Sequence, residues 1–383
     1  MENERRDRMG RRRFGRTRLD LSVFSLGTMR FASAADAQAV VAAALAQGIN
    51  HIETAPAYGP SEGYLGQALA ALTGGDLRQQ LVLTSKLTPT LTGDQVDSAL
   101  DASLARLGVS YLDCLAIHGI NTPAHLAWVQ AHMLKPLVRA QADGRIRHVG
   151  FSTHGSLALI QAAIATQSFA FINLHYSYFF QRNAPAIAQA SQQDMGVFII
   201  SPGDKAGLLY TPPARLKALC APYDPLLLNY RWLLSDPRIT TLSVGPAVPA
   251  ELDWPLQVRD ATGPLSEAER QAIERLDQAQ RDSLGSDRCA QCHACLPCPE
   301  AINIPEVLRL RNLAVAYDMS AYGQYRYGMF ENAGHWFPGR RGDRCTDCGD
   351  CLPRCPEQLN IPDLLQDTHQ RLGGKPRRRL WEA

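Results

Sequence analysis

Short apolar segments alternate with longer stretches of helical periodicity over the first 285 residues of the chain. Each apolar segment precedes a run with apolar residues three and four positions apart, which is the pattern of a strand followed by a helix. We predict eight strands, at residues 23–26, 50–53, 81–86, 114–118, 149–152, 171–175, 197–201 and 241–244. Among the intervening helices, the periodicity is clearest at residues 36–47, 62–72, 94–107 and 125–141.

Strict alternation of strand and helix favours one architecture, since successive parallel strands need right-handed helical crossovers. Eight such units in about 260 residues close into a (β/α)8 TIM barrel, which is the fold we expect for residues 1–285. An open doubly wound sheet is the alternative, but no G-x-G-x-x-G follows the first strand. Ser266 and Glu269 form a predicted capping box for the last helix, which runs to Arg281, and residues 281–288 are a candidate linker.

The ten cysteines are distributed very unevenly along the chain. Cys114 and Cys220 lie in the first 288 residues, and we expect both to be buried small apolar side chains. The other eight crowd into a short C-terminal stretch: Cys289, Cys292, Cys295, Cys298, Cys345, Cys348, Cys351 and Cys355. This shift in composition predicts a domain boundary near residue 285 and a small second domain over residues 286–383 that is organised by its cysteines.

The remaining composition is that of an ordinary globular protein, with 45% hydrophobic and 20% charged residues. Lys and Arg number 39 against 37 Asp and Glu, so the net charge of +2 predicts no field that would attract nucleic acid. Basic residues cluster at both ends, where we expect solvated tails: Arg5, Arg6, Arg11, Arg12, Arg13, Lys375, Arg377, Arg378 and Arg379.

The start of the chain has no apolar stretch of the kind found in signal peptides, and no run of eighteen apolar residues predicts a membrane span. We therefore expect a cytoplasmic protein. Disulfides rarely persist in that reducing compartment, so metal ligation is the expected role of the clustered cysteines.

The spacing of these cysteines predicts two [4Fe-4S] clusters. The second run, C-x2-C-x2-C-x3-C-P from Cys345 to Pro356, is the bacterial ferredoxin pattern, and the first run is one residue shorter before its fourth cysteine. In two-cluster ferredoxins the fourth ligand of each run binds the other cluster. The predicted ligand sets are therefore Cys289, Cys292, Cys295 with Cys355, and Cys345, Cys348, Cys351 with Cys298. Two zinc sites of four cysteines each are the alternative, although these usually use separated C-x2-C pairs.

An internal repeat follows the two cysteine runs. Each Cys-Pro leads into a similar segment, EAINIPE at residues 300–306 and EQLNIPD at residues 357–363, so each ligand loop precedes a helix that starts near a proline. This C-terminal region resembles the α-helical ferredoxin module.

In barrels of the predicted kind, catalytic side chains lie at the carboxyl ends of the strands. Four ionisable residues occupy such positions: Glu53 and Tyr58 after strand two, Lys86 at the end of strand three and His118 at the end of strand four. A tyrosine phenol has a pKa near 10, and a neighbouring ammonium makes it a better proton donor and acceptor at neutral pH. The set therefore predicts proton exchange with a carbonyl or an alcohol, with His118 orienting the substrate oxygen.

The same residues belong to a motif that resembles the aldo-keto reductases. The motif comprises residues 48–55 (GINHIETA), Tyr58-Gly59, Ser61-Glu62 and Leu65-Gly66, and the resemblance extends from Phe14 to about Arg281. In that family the catalytic tetrad is Asp, Tyr, Lys and His. The matching positions are Glu53, Tyr58, Lys86 and His118, so Glu53 replaces the usual Asp and keeps its carboxylate.

The resemblance also implies a nicotinamide cofactor, NADP(H) or NAD(H), across the barrel mouth. Polar residues after strands five to seven would bind it, and Lys205 would bind its pyrophosphate; these positions are Ser152, Thr153, Asn173, Ser201 and Lys205. Thr153 stands where Asn is commoner in that family, and Asn173 where Gln is commoner. Two further features also depart from the family pattern. Ile200 stands where an aromatic residue usually stacks on the nicotinamide, and residues 245–249 lack the basic residue expected to bind a 2′-phosphate.

Together these features predict a two-domain oxidoreductase. Its barrel exchanges hydride between NAD(P)H and a carbonyl or alcohol, and its two clusters pass single electrons to a carrier of the ferredoxin type. A second hypothesis is a redox-sensing or binding protein with a vestigial barrel and structural clusters. A third is a plain carbonyl reductase whose cluster domain only covers the substrate pocket.

Overall fold

The computed structural model describes residues 9–72 and 77–377. Among the predicted basic tails, Arg5, Arg6, Arg378 and Arg379 lie outside these residues. The chain divides into two compact units: Met1–Ala206 with Asn229–Pro264, and Gly207–Leu228 with Leu265–Ala383. Within the described residues, no helix is both long enough and apolar enough to cross a membrane.

The first unit contains a closed barrel of eight parallel strands, which confirms the predicted (β/α)8 fold. The strands of the chain are β1 Arg11–Arg13, β2 Asp20–Ser22, β3 Phe24–Gly27, β4 His51–Glu53, β5 Val82–Leu87, β6 Leu112–Ile117, β7 Ile146–Ser152, β8 Phe171–Leu174, β9 Gly196–Ile199 and β10 Thr241–Val244. Strands β3 to β10 follow one another around the barrel in chain order, and β10 closes it against β3. Each of the eight predicted strands overlaps one of them.

Helices alternate with the barrel strands and continue into the second unit. They are α1 Ala34–Ala46, α2 Ser61–Ala71, α3 Leu77–Gln80, α4 Gly93–Leu107, α5 Pro123–Trp128, α6 Leu134–Ala142, α7 Leu157–Ala165, α8 Ala184–Gln192, α9 Ala214–Cys220, α10 Pro225–Leu234, α11 Glu267–Leu284, α12 Ile304–Tyr317, α13 Ser320–Tyr327 and α14 Ile361–Leu372. A π-helical turn at Val129–Met133 joins α5 to α6. The α-helical hydrogen-bond pattern of the predicted helix at residues 125–141 is therefore interrupted at this turn.

The parallel register brings the carboxyl ends of the strands to one edge of the barrel. Glu53 at the end of β4 pairs with Thr84 of β5, two residues before Lys86. Lys86 in turn pairs with Ala116 of β6, two residues before His118. The predicted catalytic residues therefore reach the same edge from three neighbouring strands.

The sequence pattern does not predict the antiparallel hairpin of β1 and β2 that precedes the barrel. Its turn contains Phe14, which is fully buried and packs against Phe171 with 5.2 Å between ring centroids. Cys114 belongs to the same apolar cluster and Cys220 is also buried, as predicted for both cysteines. The sequence does not predict the hairpin because β1 consists of three arginines, a pattern typical of a solvated tail. Arg12 instead donates to backbone carbonyls, among them that of Asp236 at 2.9 Å.

The second unit combines α9 and α11 with the cysteine-rich segment. The predicted capping box of Ser266 and Glu269 begins α11. Tyr317 of α12 donates a hydrogen bond to the Leu276 carbonyl of α11 at 3.0 Å. Helix α11 extends to Leu284, and a 3₁₀ turn follows at Gly285–Asp287. The first half of the candidate linker is therefore helical, and the boundary at residue 285 stays a prediction.

Candidate active site and candidate metal centres

Lys86 connects the other members of the predicted catalytic set. Its Nζ donates to the Tyr58 hydroxyl at 2.6 Å and forms a direct ion pair with Glu53 Oε1. The Tyr58 hydroxyl also lies 3.3 Å from Glu53 Oε1. Although Glu53 is one methylene longer than an aspartate, its carboxylate contacts Lys86 directly.

His118 lies beside the phenol and completes the set. Its ring lies perpendicular to that of Tyr58, with 5.7 Å between the ring centroids. Glu53, Lys86 and His118 are buried, whereas Tyr58 is only partly buried. The phenol is thus the member of the set that is most accessible to a substrate.

Burial controls the charge state of Lys86. Loss of water lowers the pKa of its ammonium well below the usual value, and the positive charge of Lys205 lowers it further. The contact with the Glu53 carboxylate opposes both effects, since an opposite charge stabilises the ammonium. The pKa of Lys86 therefore depends on a balance between burial and Lys205, which lower it, and Glu53, which raises it.

Among the polar residues at the ends of strands five and six of the barrel, Ser152 and Thr153 are hydrogen-bonded, whereas within the described part of the chain the Asn173 side chain is not. The Thr153 hydroxyl donates to the Ile120 carbonyl at 2.7 Å, and the Ser152 hydroxyl accepts from the Gly119 amide at 3.0 Å. Asn173 is fully buried, yet neither polar atom of its side-chain amide has a hydrogen-bond partner among the described residues. An amide in this state can pair with the carboxamide of a nicotinamide, which offers one donor group and one acceptor.

Two histidines that the sequence analysis does not single out form a chain with Lys205 at the ends of strands five to seven of the barrel. His175 Nε2 is 3.2 Å from His154 Nδ1 and 3.4 Å from Lys205 Nζ, and its other ring nitrogen is 2.9 Å from the Ile200 carbonyl. Ser201, which has φ of 50°, begins the turn whose backbone places Lys205. His175 ends one predicted strand and His154 lies two residues after another, and these positions were the available signal.

A basic residue does lie beside the loop that follows the last strand, but it comes from another part of the chain. Arg30, after β3, donates to the Gly245 carbonyl at 3.1 Å and to Glu251 at 2.6 Å. The sequence does not predict this pairing because about 215 residues separate the partners.

In the second unit, four cysteines line a small cavity that is partly open to solvent. They are Cys298, Cys345, Cys348 and Cys351, which is one of the two predicted ligand sets. Burial raises the pKa of the Cys351 thiol, and the neighbouring thiols of the other three raise it further.

The second predicted set shows the same exchange of the fourth cysteine. Burial raises the pKa of the Cys289 thiol, and the nearby thiols of Cys292 and Cys355 raise it further. Burial likewise raises the pKa of Cys295 to about 12, with contributions from Cys289 and Cys292. Cys355 therefore lies near the first run and Cys298 near the second.

The donor set fits an iron–sulfur cluster better than a single ion. In the described part of the chain, no three His, Cys, Asp or Glu residues are grouped so that they could hold one metal ion. Four thiols around a cavity suit the thiolate-bound cube of a [4Fe-4S] cluster, whereas zinc needs its four sulfurs at about 2.3 Å from one point.

Two family models match adjacent parts of the chain. The Aldo/keto reductase family model matches residues 24–278, and the 4Fe-4S dicluster domain model matches residues 288–360. The first match covers most of the chain and includes the barrel with its candidate active site. The second contains all eight clustered cysteines.

Individual proteins resemble parts of the chain. An aldo-keto reductase from Mycobacterium sp. (strain KMS) is 42% identical over 118 residues, which are 30% of this chain and 41% of that protein. A 6-dehydroglucose reductase from Novosphingobium aromaticivorans is 33% identical over 159 residues, which are 37% of this chain and 50% of that protein. The chain thus spans half or less of the length of these relatives.

A solved structure resembles the barrel. The aldo-keto reductase AKR11C1 from Bacillus halodurans, in its holo form, has a TM-score of 0.60 at 21% identity. The alignment covers 70% of this chain and 96% of that one. At this identity the likeness establishes the shared fold.

Proposed function

Because the chain belongs to the aldo/keto reductase family and carries a 4Fe-4S dicluster domain, we propose that it exchanges hydride between NAD(P)H and a carbonyl or alcohol substrate. The observation that carries this proposal is the buried Lys86 ammonium, which donates to the Tyr58 hydroxyl at 2.6 Å and pairs with Glu53. The arrangement suits proton exchange at an oxygen rather than nucleophilic attack.

Tyr58 is the proton donor for carbonyl reduction. As negative charge develops on the substrate oxygen, the phenol transfers its proton there, and the Lys86 ammonium stabilises the phenolate that remains. Glu53 keeps Lys86 charged and oriented. His118, whose ring stands against the Tyr58 ring, donates a hydrogen bond that orients the carbonyl. In alcohol oxidation the same phenolate accepts the proton.

Bound NAD(P)H would supply the hydride to the carbonyl carbon. The buried amide of Asn173 is the residue that supports a nicotinamide here, since its donor and acceptor lack partners among the described residues. Lys205, Ser152, Thr153 and Ser201 are the further proposed contacts. Arg30 is paired with Glu251, whose negative charge disfavours a nearby 2′-phosphate, so the site does not select NADP(H) strongly.

We further propose that the two cysteine sets hold two [4Fe-4S] clusters that pass single electrons. Cys289, Cys292, Cys295 and Cys355 would bind one cluster, and Cys298, Cys345, Cys348 and Cys351 the other. The nearness of Cys355 to Cys289 and of Cys298 to Cys351 supports this assignment. The partner on this side would be a one-electron carrier of the ferredoxin type.

A redox-sensing or binding protein is the second candidate function, and two observations favour it. The Thr153 hydroxyl already bonds the Ile120 carbonyl and the Gly155 amide, so it contributes to the loop itself. Ile200, in addition, offers no aromatic face for a nicotinamide.

The test measures oxidation of NADPH and NADH by the anaerobic full-length protein with a panel of aldehydes and ketones. Tyr58→Phe should reduce turnover by about 10²–10⁴-fold, which is the usual contribution of a positioned acid. Tyr64→Phe, on α2 and outside the catalytic set, is the matched control and should leave turnover unchanged.

Equal loss in both variants, or no reaction and no fluorescence response to either nucleotide, would overturn the reductase proposal. Stopped-flow absorbance adds a second arm. Bleaching of the clusters by NAD(P)H supports coupling between the nucleotide and the clusters. Bleaching only by an added one-electron reductant, with no turnover, favours the sensor.

A further inference from the structure

The two cysteine loops repeat in backbone conformation as well as in sequence. Gln291 and Asp347, each the residue before the second cysteine of its run, have φ of 60° and 55°. The same correspondence holds for Ala301 and Gln358, each three residues after the fourth cysteine, with φ of 55° and 53°. Non-glycine residues rarely adopt these angles, so the shared values establish that the two loops follow one path.

At one pair of equivalent positions the two loops carry opposite chemistry. The side-chain amide nitrogen of Gln291 lies 3.3 Å from Cys289 Sγ and donates to the Pro305 carbonyl at 2.9 Å. Gln291 is partly buried, and the Pro305 carbonyl at the start of α12 holds its amide in place. Cys289 thus receives an N–H···S hydrogen bond from a fixed side chain.

The equivalent residue of the second loop cannot do this. Asp347 is exposed, and its carboxylate has no hydrogen to donate to Cys345. Two other acidic residues, Glu300 and Asp350, line the cavity of that set together with Arg354. The first run, from Cys289 to Cys298, contains no acidic residue.

Hydrogen bonds to cluster sulfurs and local charge both set the reduction potential of an iron–sulfur cluster. Reduction adds negative charge to the cluster. An N–H donor directed at a ligand sulfur therefore stabilises the reduced form, while a nearby carboxylate destabilises it.

We propose that Gln291 and Asp347 make the two clusters unequal, so that the cluster of Cys289 has the higher potential and that of Cys345 the lower. The inference rests on the proposed presence of two clusters. One electron leaves the reduced cluster of the second set, which returns to its oxidised state, and reduces the oxidised cluster of the first set. The transfer needs no proton and no change in covalent bonding. A one-electron donor to the second set replenishes the electron.

The test is a potentiometric titration of the anaerobic full-length protein, followed by electron paramagnetic resonance. Two separate one-electron waves are expected. Gln291→Met removes the donor at similar size and should move only the upper wave, to lower potential. A tenfold fall in the ratio of reduced to oxidised cluster at fixed potential corresponds to about 59 mV. Asp347→Asn removes the charge and should move only the lower wave, to higher potential.

Gln324→Met, at an exposed position on α13, is the matched control and should move neither wave. Coinciding waves in the wild type, no shift in Gln291→Met, or a shift of the same wave by both variants would overturn the inference. Iron and sulfide contents are measured for every protein. Absence of iron–sulfur clusters from the wild type contradicts the proposed function itself, whereas full clusters with unshifted potentials contradict only the asymmetry.

Discussion

Lys86 is the residue on which the candidate active site depends. Its ammonium is buried and paired with Glu53, whose carboxylate favours the charged form against the effects of burial and of Lys205. A neutral Lys86 would lack the positive charge that stabilises the Tyr58 phenolate. The pH at which Lys86 loses its proton should therefore limit activity on the alkaline side.

We predict that Glu53→Gln moves the alkaline limb of the pH profile of kcat to lower pH. Removing the carboxylate lowers the pKa of Lys86, so its charge is lost at a lower pH than in the wild type. Glu53→Asp keeps the charge at a longer distance and should shift the limb less. Glu274→Gln, an exposed residue of α11, makes the same change of charge and should leave the profile in place. A uniform loss of kcat with an unmoved limb would contradict this role.

His51 provides a second prediction within the barrel. It is fully buried between Ser25 and Thr84, which lie 2.6 Å and 2.8 Å from its ring nitrogens, and burial lowers its pKa from 6.5 to about 3. Between these two values the unfolded chain takes up a proton that the folded barrel refuses. Stability is therefore fully present above pH 6.5 and is lost as the pH falls towards 3.

The expected loss from His51 is about 1.4 kcal/mol between about pH 7.5 and about pH 5.5. Urea unfolding at the two pH values measures it. His51→Gln, whose amide can bond the same hydroxyls, should show a smaller drop than the wild type by this amount. His132→Gln, at an exposed position, should behave as the wild type. An equal drop in all three proteins would mean that His51 does not contribute.

Residue types and their positions at strand ends were sufficient to predict the four catalytic candidates. The ends of the strands follow from the hydrophobic periodicity of neighbouring residues, so these positions can be read from short segments of the chain. His154 and His175 also lie at such positions, but a single sequence does not distinguish them from ordinary rim residues. Arg30 could not be assigned because its partners at Gly245 and Glu251 are distant in the chain.

At the scale of elements, part of the family-like motif serves packing. Glu62 of α2 is buried and accepts from Ser85 of β5 at 2.6 Å and from Arg106 of α4 at 2.7 Å. One turn later, a Cβ on Gly66 would lie 2.3 Å from the Arg106 carbonyl oxygen. Two motif positions on α2 thus serve close contact with the end of α4, while Tyr58 lies in the preceding turn.

We predict that Gly66→Ala lowers the free energy of unfolding by about 1–3 kcal/mol, because a rigid backbone atom must move to admit the methyl group. Gly63→Ala is the matched control on the same helix. A Cβ there would meet nothing within 4 Å, so stability should stay equal or rise by less than about 1 kcal/mol. Chemical denaturation of the two variants measures the difference, and equal stabilities would show that α2 and α4 can separate freely.

At the scale of the whole molecule, the compact units and the family matches divide the chain at different places. The family model extends to residue 278, whereas α11 from Glu267 belongs to the same compact unit as the cysteine segment. Arg215 of α9 donates to the Ala316 carbonyl of α12 at 2.8 Å, and α11 buries Ala272 and Leu276. Removing the cysteine segment would expose these surfaces.

We predict that a chain ending at residue 285 has a lower Tm than the full chain and aggregates more readily, since each uncovered apolar side chain costs about 1.5–3 kcal/mol. A chain ending at Arg377 removes no described element and should melt like the full chain. Scanning calorimetry measures both. An unchanged Tm in the shorter chain would show that α9 and α11 do not need the segment for their stability. Truncation removes these contacts together with the clusters. A ligand variant such as Cys355→Ser is therefore the better test of whether turnover needs the clusters or only the folded segment.

The sequence alone determined the barrel, the four residues at its strand ends and the two duplicated cysteine runs. Periodicity and spacing are local properties, and a parallel register carries local positions to a common edge. The tertiary structure decided what depends on distant partners: the hairpin closed by Phe14, the pairing of Arg30 with Glu251, and the grouping of α11 with the cysteine segment. It also decided the N–H···S contact of Gln291, because the Pro305 carbonyl that orients this amide lies on the next helix.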